Sequence, residues 1–169
     1  EMKKAALVIS GGGCKGAFAV GAVKSVYKRY RNEGWFAIVG GSSTGAIIAP
    51  LAALLGAPEP MASNAYKTML YFYSHVTTHS VLERKNLLGI LHNQSSFNRL
   101  APLEKLIHRV FIPECFEWLQ SDDAPHCCVV YVNFRDAQKV FVSPKDEGMT
   151  RDRFIQAMLA SVSVPGFIE

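Results

Sequence analysis

The stretch LVISGGGCKGAFAVGAV, residues 7 to 23, sets the tightest limit on what this chain can fold into. A short apolar run over residues 5 to 10 stops at three glycines. It then gives way to a segment with apolar residues at Val20, Val23, Val26, Tyr27 and Tyr30. The run has the pattern of a buried strand, and the spacing is that of one helical face, with Asn32 and Gly34 as stop signals. The same succession follows at once. Trp35 to Val39 reads as a second buried strand, and Ala46 to Leu55, nearly all apolar, as a deeply buried helix. Strand, helix, strand, helix in this order predicts an α/β fold with a parallel sheet covered on both faces.

Size and composition agree with that reading. A chain of 169 residues fits one domain, and 49% hydrophobic against 19% charged residues excludes a disordered chain. No apolar run reaches the roughly 18 residues of a membrane-spanning helix. The run from Ala5 to Ile9 is also shorter than the about 7–15 residues of a secretory core. The net charge of +4 forms no stripe, which argues against nucleic acid. Cys14, Cys115, Cys127 and Cys128 show no CxxC spacing, so neither zinc nor a disulfide framework is expected. A reducing, cytoplasmic setting is the default.

Further along, Met61 to Tyr73 and Pro102 to Phe111 read as helices, the latter opened by proline. Cys127 to Asn133 is rich in β-branched residues and reads as a strand. Val140 to Val142 follows through a hairpin at RDAQK. Thr150 is placed to cap a last helix reaching Ser161.

Each glycine turn offers chemistry. Gly11, Gly13 and Gly16 satisfy GxGxxG between strand and helix, a pattern that suits a dinucleotide pyrophosphate. A dinucleotide site also expects an acidic residue at the end of the next strand, and here that strand ends in Gly40-Gly41-Ser42-Ser43. The remaining readings are close packing and an oxyanion hole. In the latter, the exposed amides and the helix's positive end await a transient charge. The second turn, GSSTG over residues 41 to 45, is a G-x-S-x-G elbow between strand and helix. It makes Ser43 the candidate nucleophile, flanked by Gly41, Ser42, Thr44 and Gly45. The five histidines, His75, His79, His92, His108 and His126, belong to no triad signature.

Taken together, LVISGGGCKGAFAVGAV and VGGSSTGAIIAPLAA closely resemble the patatin-like lipid acyl hydrolases. The family sets a GGGxRG-type oxyanion turn shortly before its serine elbow. The resemblance implies a three-layer sandwich with a mainly parallel central sheet flanked by helices. It assigns the oxyanion turn to Gly11, Gly12, Gly13, Cys14, Lys15 and Gly16, with Lys15 in the usual arginine position, and the nucleophile to Ser43. Lysine keeps the charge there but loses the planar fork. The segment FIQAMLASVSVPGFIE, residues 154 to 169, resembles the family's A-S-x-x-x-P-x-F run.

The family completes its serine with an aspartate in a D-G-G or D-G-A motif beyond that run. Asp122, Asp123, Asp136, Asp146 and Asp152 are all followed by other residues. The expectation is a single domain whose dyad aspartate lies past Glu169 in a longer protein. The implied activity is hydrolysis of lipid or phospholipid esters through a serine–aspartate dyad, with no cofactor or metal and with peripheral membrane contact. The apolar stretch VLERKNLLGIL would line an acyl channel or rest on a membrane, unless it is ordinary core and loop packing. A catalytically inactive lipid- or protein-binding module is the alternative.

Overall fold

The computed structural model describes residues 5–31, 35–75, 83–84, 96–163 and 166–168, with the backbone alone described for 83–84, 96–99 and 166–168. The helix stops at Asn32 and Gly34, and most of VLERKNLLGIL, lie outside these residues.

The central sheet has four strands. These are β1 (Ala6–Ile9), β2 (Ile38–Ser42), β5 (His126–Asn133) and β6 (Gln138–Val142), in that spatial order. β1, β2 and β5 are parallel, and β6 returns antiparallel to β5 through the expected hairpin. A smaller sheet sets β3 (Glu83–Arg84) against β4 (Ser96–Arg99), and β4 in parallel with β7 (Gly166–Ile168) in the tail.

Six helices complete the fold among the described residues. They are α1 (Gly16–Tyr30), α2 (Thr44–Ala53), α3 (Met61–His75), α4 (Ala101–Val110), α5 (Pro113–Gln120) and α6 (Arg151–Val162). The α/β architecture with a mainly parallel sheet is therefore the one expected. α2 is apolar all round because it is enclosed. It lies on β1, β2 and β5, with α1, α3 and α6 around it, and every residue from Gly45 to Ala53 is buried. Thr150 caps α6 as expected, its side chain accepting from the Arg153 amide at 3.3 Å.

Two expectations need correction. β2 begins at Ile38 rather than Trp35, because Trp35 is held elsewhere. Its Nε1 donates to the Ala52 carbonyl at 2.8 Å, and its ring stands edge-on to Tyr27. The strand instead runs on through Gly40, Gly41 and Ser42, paired with Cys128, Val129 and Val130. β1 is not buried on both faces. Ile9 points into the core under α2, whereas Val8 is 77% exposed, as is Phe141 on the hairpin at 65%. The structure also adds a helix, α5, opened by Pro113 with Glu114 in its first turn, a start signal that the reading of the sequence passes over. It is eight residues long, too short to display a period, and it is fixed by tertiary packing of Phe116 against Phe111 and Phe154.

All four cysteines are free thiols. Cys127 and Cys128 point to opposite faces, the first fully buried and the second half-buried, and burial pushes both thiols up.

Candidate active site

The elbow and the first glycine bend meet at the ends of β1 and β2. Ser43 stands between β2 and α2 at φ 53°, ψ −127°, a region that costs a serine on the order of 1–3 kcal/mol. A helix-capping serine ordinarily has extended backbone and turns its oxygen onto the first-turn amides. Ser43 is the N-cap residue of α2, yet its side chain makes no capping bond. The backbone is held instead. The Ser43 amide donates to Ser161 Oγ at 2.8 Å, and its carbonyl accepts from the Ala46 amide at 2.8 Å.

The elbow glycines are sterically required. A Cβ on Gly41 would run into the Gly45 carbonyl, and one on Gly45 into the carbonyl of Ile9. Strand β1, strand β2 and the start of α2 therefore touch backbone to backbone.

The first bend closes on the same point. Gly11 and Gly12 leave β1, Gly13–Lys15 forms a single 3-10 turn, and α1 starts at Gly16. Gly13 has φ +55°, which glycine adopts without strain. A Cβ on Gly11 would lie 2.8 Å from Ser43 Cβ and 3.5 Å from Ser43 Oγ. A Cβ on Gly16 would collide with the Thr44 methyl. Thr44 also links the two bends directly, its Oγ1 donating to the Gly13 carbonyl at 2.9 Å. Tyr73 of α3 buttresses this link. Its hydroxyl donates to the Thr44 carbonyl at 3.4 Å, and burial pushes that phenol up to about 12. Cys14 and Lys15 lie exposed on the turn.

The two runs singled out from the sequence, Gly11 to Gly16 and Gly41 to Gly45, thus converge. Ser161 and Tyr73 support them, and no motif marks either residue for that role. The serine lies in ASVSVPGF, within the segment that carries the family likeness, but nothing in its spacing points to the Ser43 amide.

The described histidines and aspartates serve local structure. His75 stacks on Tyr71, His108 Nδ1 lies 3.3 Å from Arg151 Nη1, and His126 opens β5 on the surface. His79 and His92 lie outside the described residues. Asp122 and Asp123 are exposed in the turn between α5 and β5. Asp136 ties the hairpin turn through the Gln138 amide, Asp146 accepts from the Ser143 amide, and Asp152 pairs with Arg151. None of these contacts involves Ser43. Among the described residues no three His, Cys, Asp or Glu side chains converge as metal ligands. Nor is any helix among them long and apolar enough to cross a membrane.

Such features define a parallel α/β protein built around a strand–serine–helix elbow, with a glycine bend closed against it. A family model described as Patatin-like phospholipase matches residues 7–169, nearly the whole chain. The chain belongs to the patatin-like phospholipase family, and lipid acyl hydrolysis is its family-level activity. Among curated proteins none matches it.

Proposed function

We propose that this protein is a serine ester hydrolase acting on lipid or phospholipid esters, of phospholipase A, lysophospholipase or esterase type. Ser43 is its nucleophile and the Gly11–Gly16 bend its oxyanion site. One observation carries this reading. Ser43 holds a strained, non-capping geometry with its Oγ against Gly11, the first residue of the bend that leads into the N-terminus of α1.

In this mechanism Ser43 Oγ attacks the ester carbonyl carbon while its proton passes to an aspartate carboxylate. The charge that develops on the carbonyl oxygen is met by the amides around Gly12 and Gly13. Each well-aimed donor lowers the barrier by roughly 3–4 kcal/mol. The carbon–oxygen bond to the alcohol then breaks, and the alcohol leaves with the proton. Water attacks the acyl-enzyme and gives its proton to the same carboxylate. The acyl–Oγ bond breaks as the carboxylic acid returns that proton to Ser43 Oγ, which frees the fatty acid and restores both groups. Because Asp136, Asp146 and Asp152 are bound elsewhere, and Asp122 and Asp123 precede β5 at the end of the sheet opposite the elbow, we assign the dyad aspartate to chain outside these residues. The 169 residues alone would then turn over poorly.

That same placement of the aspartates away from Ser43 favours the second reading, an inactive lipid- or protein-binding module. Hydrolysis of short-chain nitrophenyl esters by the full-length protein, and its loss in a folded Ser43→Ala variant, tests the first reading. Undiminished hydrolysis by that variant removes Ser43 from the mechanism.

A further inference from the structure

We propose that Ser161, in the last turn of α6, is a positioning residue that holds the elbow open by bridging a gap in the sheet. The proposal rests on Ser43 being the nucleophile and adds a residue that acts through it.

The β2–β5 ladder ends at the pair Ser42 and Val130. One residue later Ser43 turns to positive φ, and its amide leaves the ladder direction. A half-buried amide and the Val130 carbonyl would both lose their partners at that step, a costly arrangement. The Ser161 hydroxyl satisfies both. It accepts from the Ser43 amide at 2.8 Å and donates its own proton to the Val130 carbonyl. A hydroxyl suits this place because it is donor and acceptor at once. The resulting chain, amide to hydroxyl to carbonyl, replaces one main-chain bond with a longer link. The elbow can then peel away from the sheet without leaving an unsatisfied group.

The link also makes α6 a part of the site. α6 packs on β5 and α2, and its buried face holds Phe154, Ile155, Met158 and Leu159. Ser161 is thus anchored by the core, and it transmits that rigidity to the backbone of Ser43. A nucleophile misplaced by about 1 Å can lose roughly 100-fold in rate, so the position of this amide has kinetic weight.

Two measurements on the full-length protein test the proposal, using Ser161→Ala, Ser161→Thr and Ser161→Cys. In Ser161→Ala, the Ser43 amide should exchange hydrogen at least about 10-fold faster while β5 and α6 amides keep their protection. On a nitrophenyl ester, kcat should fall roughly 10- to 100-fold with KM nearly unchanged. Ser161→Thr, which keeps the hydroxyl, should recover most of both. Ser161→Cys, a poorer donor and acceptor, should fall between, so the ranking stands even if the alanine variant does not fold. Wild-type exchange at Ser43, or wild-type kcat, in variants without the hydroxyl overturns the proposal. A wild-type protein that hydrolyses no ester removes the hydrolase reading and any kinetic role with it. The exchange measurement then still decides whether Ser161 holds Ser43.

Discussion

Thr44 Oγ1 donates to the carbonyl of Gly13 at 2.9 Å, so the residue after the candidate nucleophile also fastens the bend that faces it. The two glycine turns are therefore one mechanical unit rather than two neighbours. Thr44→Val keeps the branched shape and removes the donor. A net hydrogen bond of about 0.5–1.5 kcal/mol, lost from the aligned state, corresponds to a decrease in kcat of roughly 2- to 10-fold. Steady-state kinetics on a soluble ester checks this, and the same lost bond should lower the thermal unfolding midpoint by roughly 1–6 °C.

Two glycine replacements should act in opposite directions. Gly45→Ala drives a methyl into the carbonyl of Ile9, and neither backbone can move without separating β1 from α2. Destabilisation of at least about 2 kcal/mol is expected. Gly21 is exposed within α1, and a methyl added there would meet nothing within 4 Å. Gly21→Ala should therefore stabilise by about 0.5–1 kcal/mol. Urea unfolding of both variants measures the difference.

Gly11→Ala addresses activity instead. Its methyl would sit 2.8 Å from Ser43 Cβ, closer than such carbons approach, and the elbow must shift. A decrease in kcat on the order of 100-fold is expected, with most of the stability retained because Gly11 is exposed. A rate within about twofold of wild type would show that the two bends tolerate separation.

Tyr73 supplies a pH test. Burial holds its phenol protonated to about 12 in the folded chain, against an ordinary value of 10. The folded state therefore keeps a proton that the unfolded chain gives up first. The stabilisation is complete below pH 10 and is lost as pH rises toward 12. Its slope is up to about 1.4 kcal/mol per pH unit in that window. Tyr73→Phe removes the titrating phenol and its bond to Thr44 together. It should be less stable than wild type near neutral pH by roughly 1 kcal/mol, and the gap should narrow above about pH 10. Thermal unfolding of both proteins from about pH 8 to 11 follows it.

Patterns set by neighbouring residues are legible in the sequence. Period and punctuation locate β1, α1, α2, α3 and α6, and the spacing of Gly41, Ser43 and Gly45 locates the elbow. What stays hidden depends on distant partners. Trp35 reads as the start of a strand, yet its indole sits on the Ala52 carbonyl, a contact set by how α2 returns under the chain. α5 opens on Pro113 but is too short to show a period, and its Phe116 packs on Phe111 and Phe154. Ser161 and Ser43 are separated by 118 residues, and no periodicity reports a bond across that span.

The reactivity of one hydroxyl decides most directly whether the two bends form an ester-cleaving site. The full-length protein should be treated with a fluorophosphonate ester and its peptides mapped by mass spectrometry. The prediction is a single adduct on Ser43, absent from Ser43→Ala although that variant folds. An adduct on another residue accompanied by loss of hydrolysis, or rapid hydrolysis with Ser43 unmodified, would contradict it.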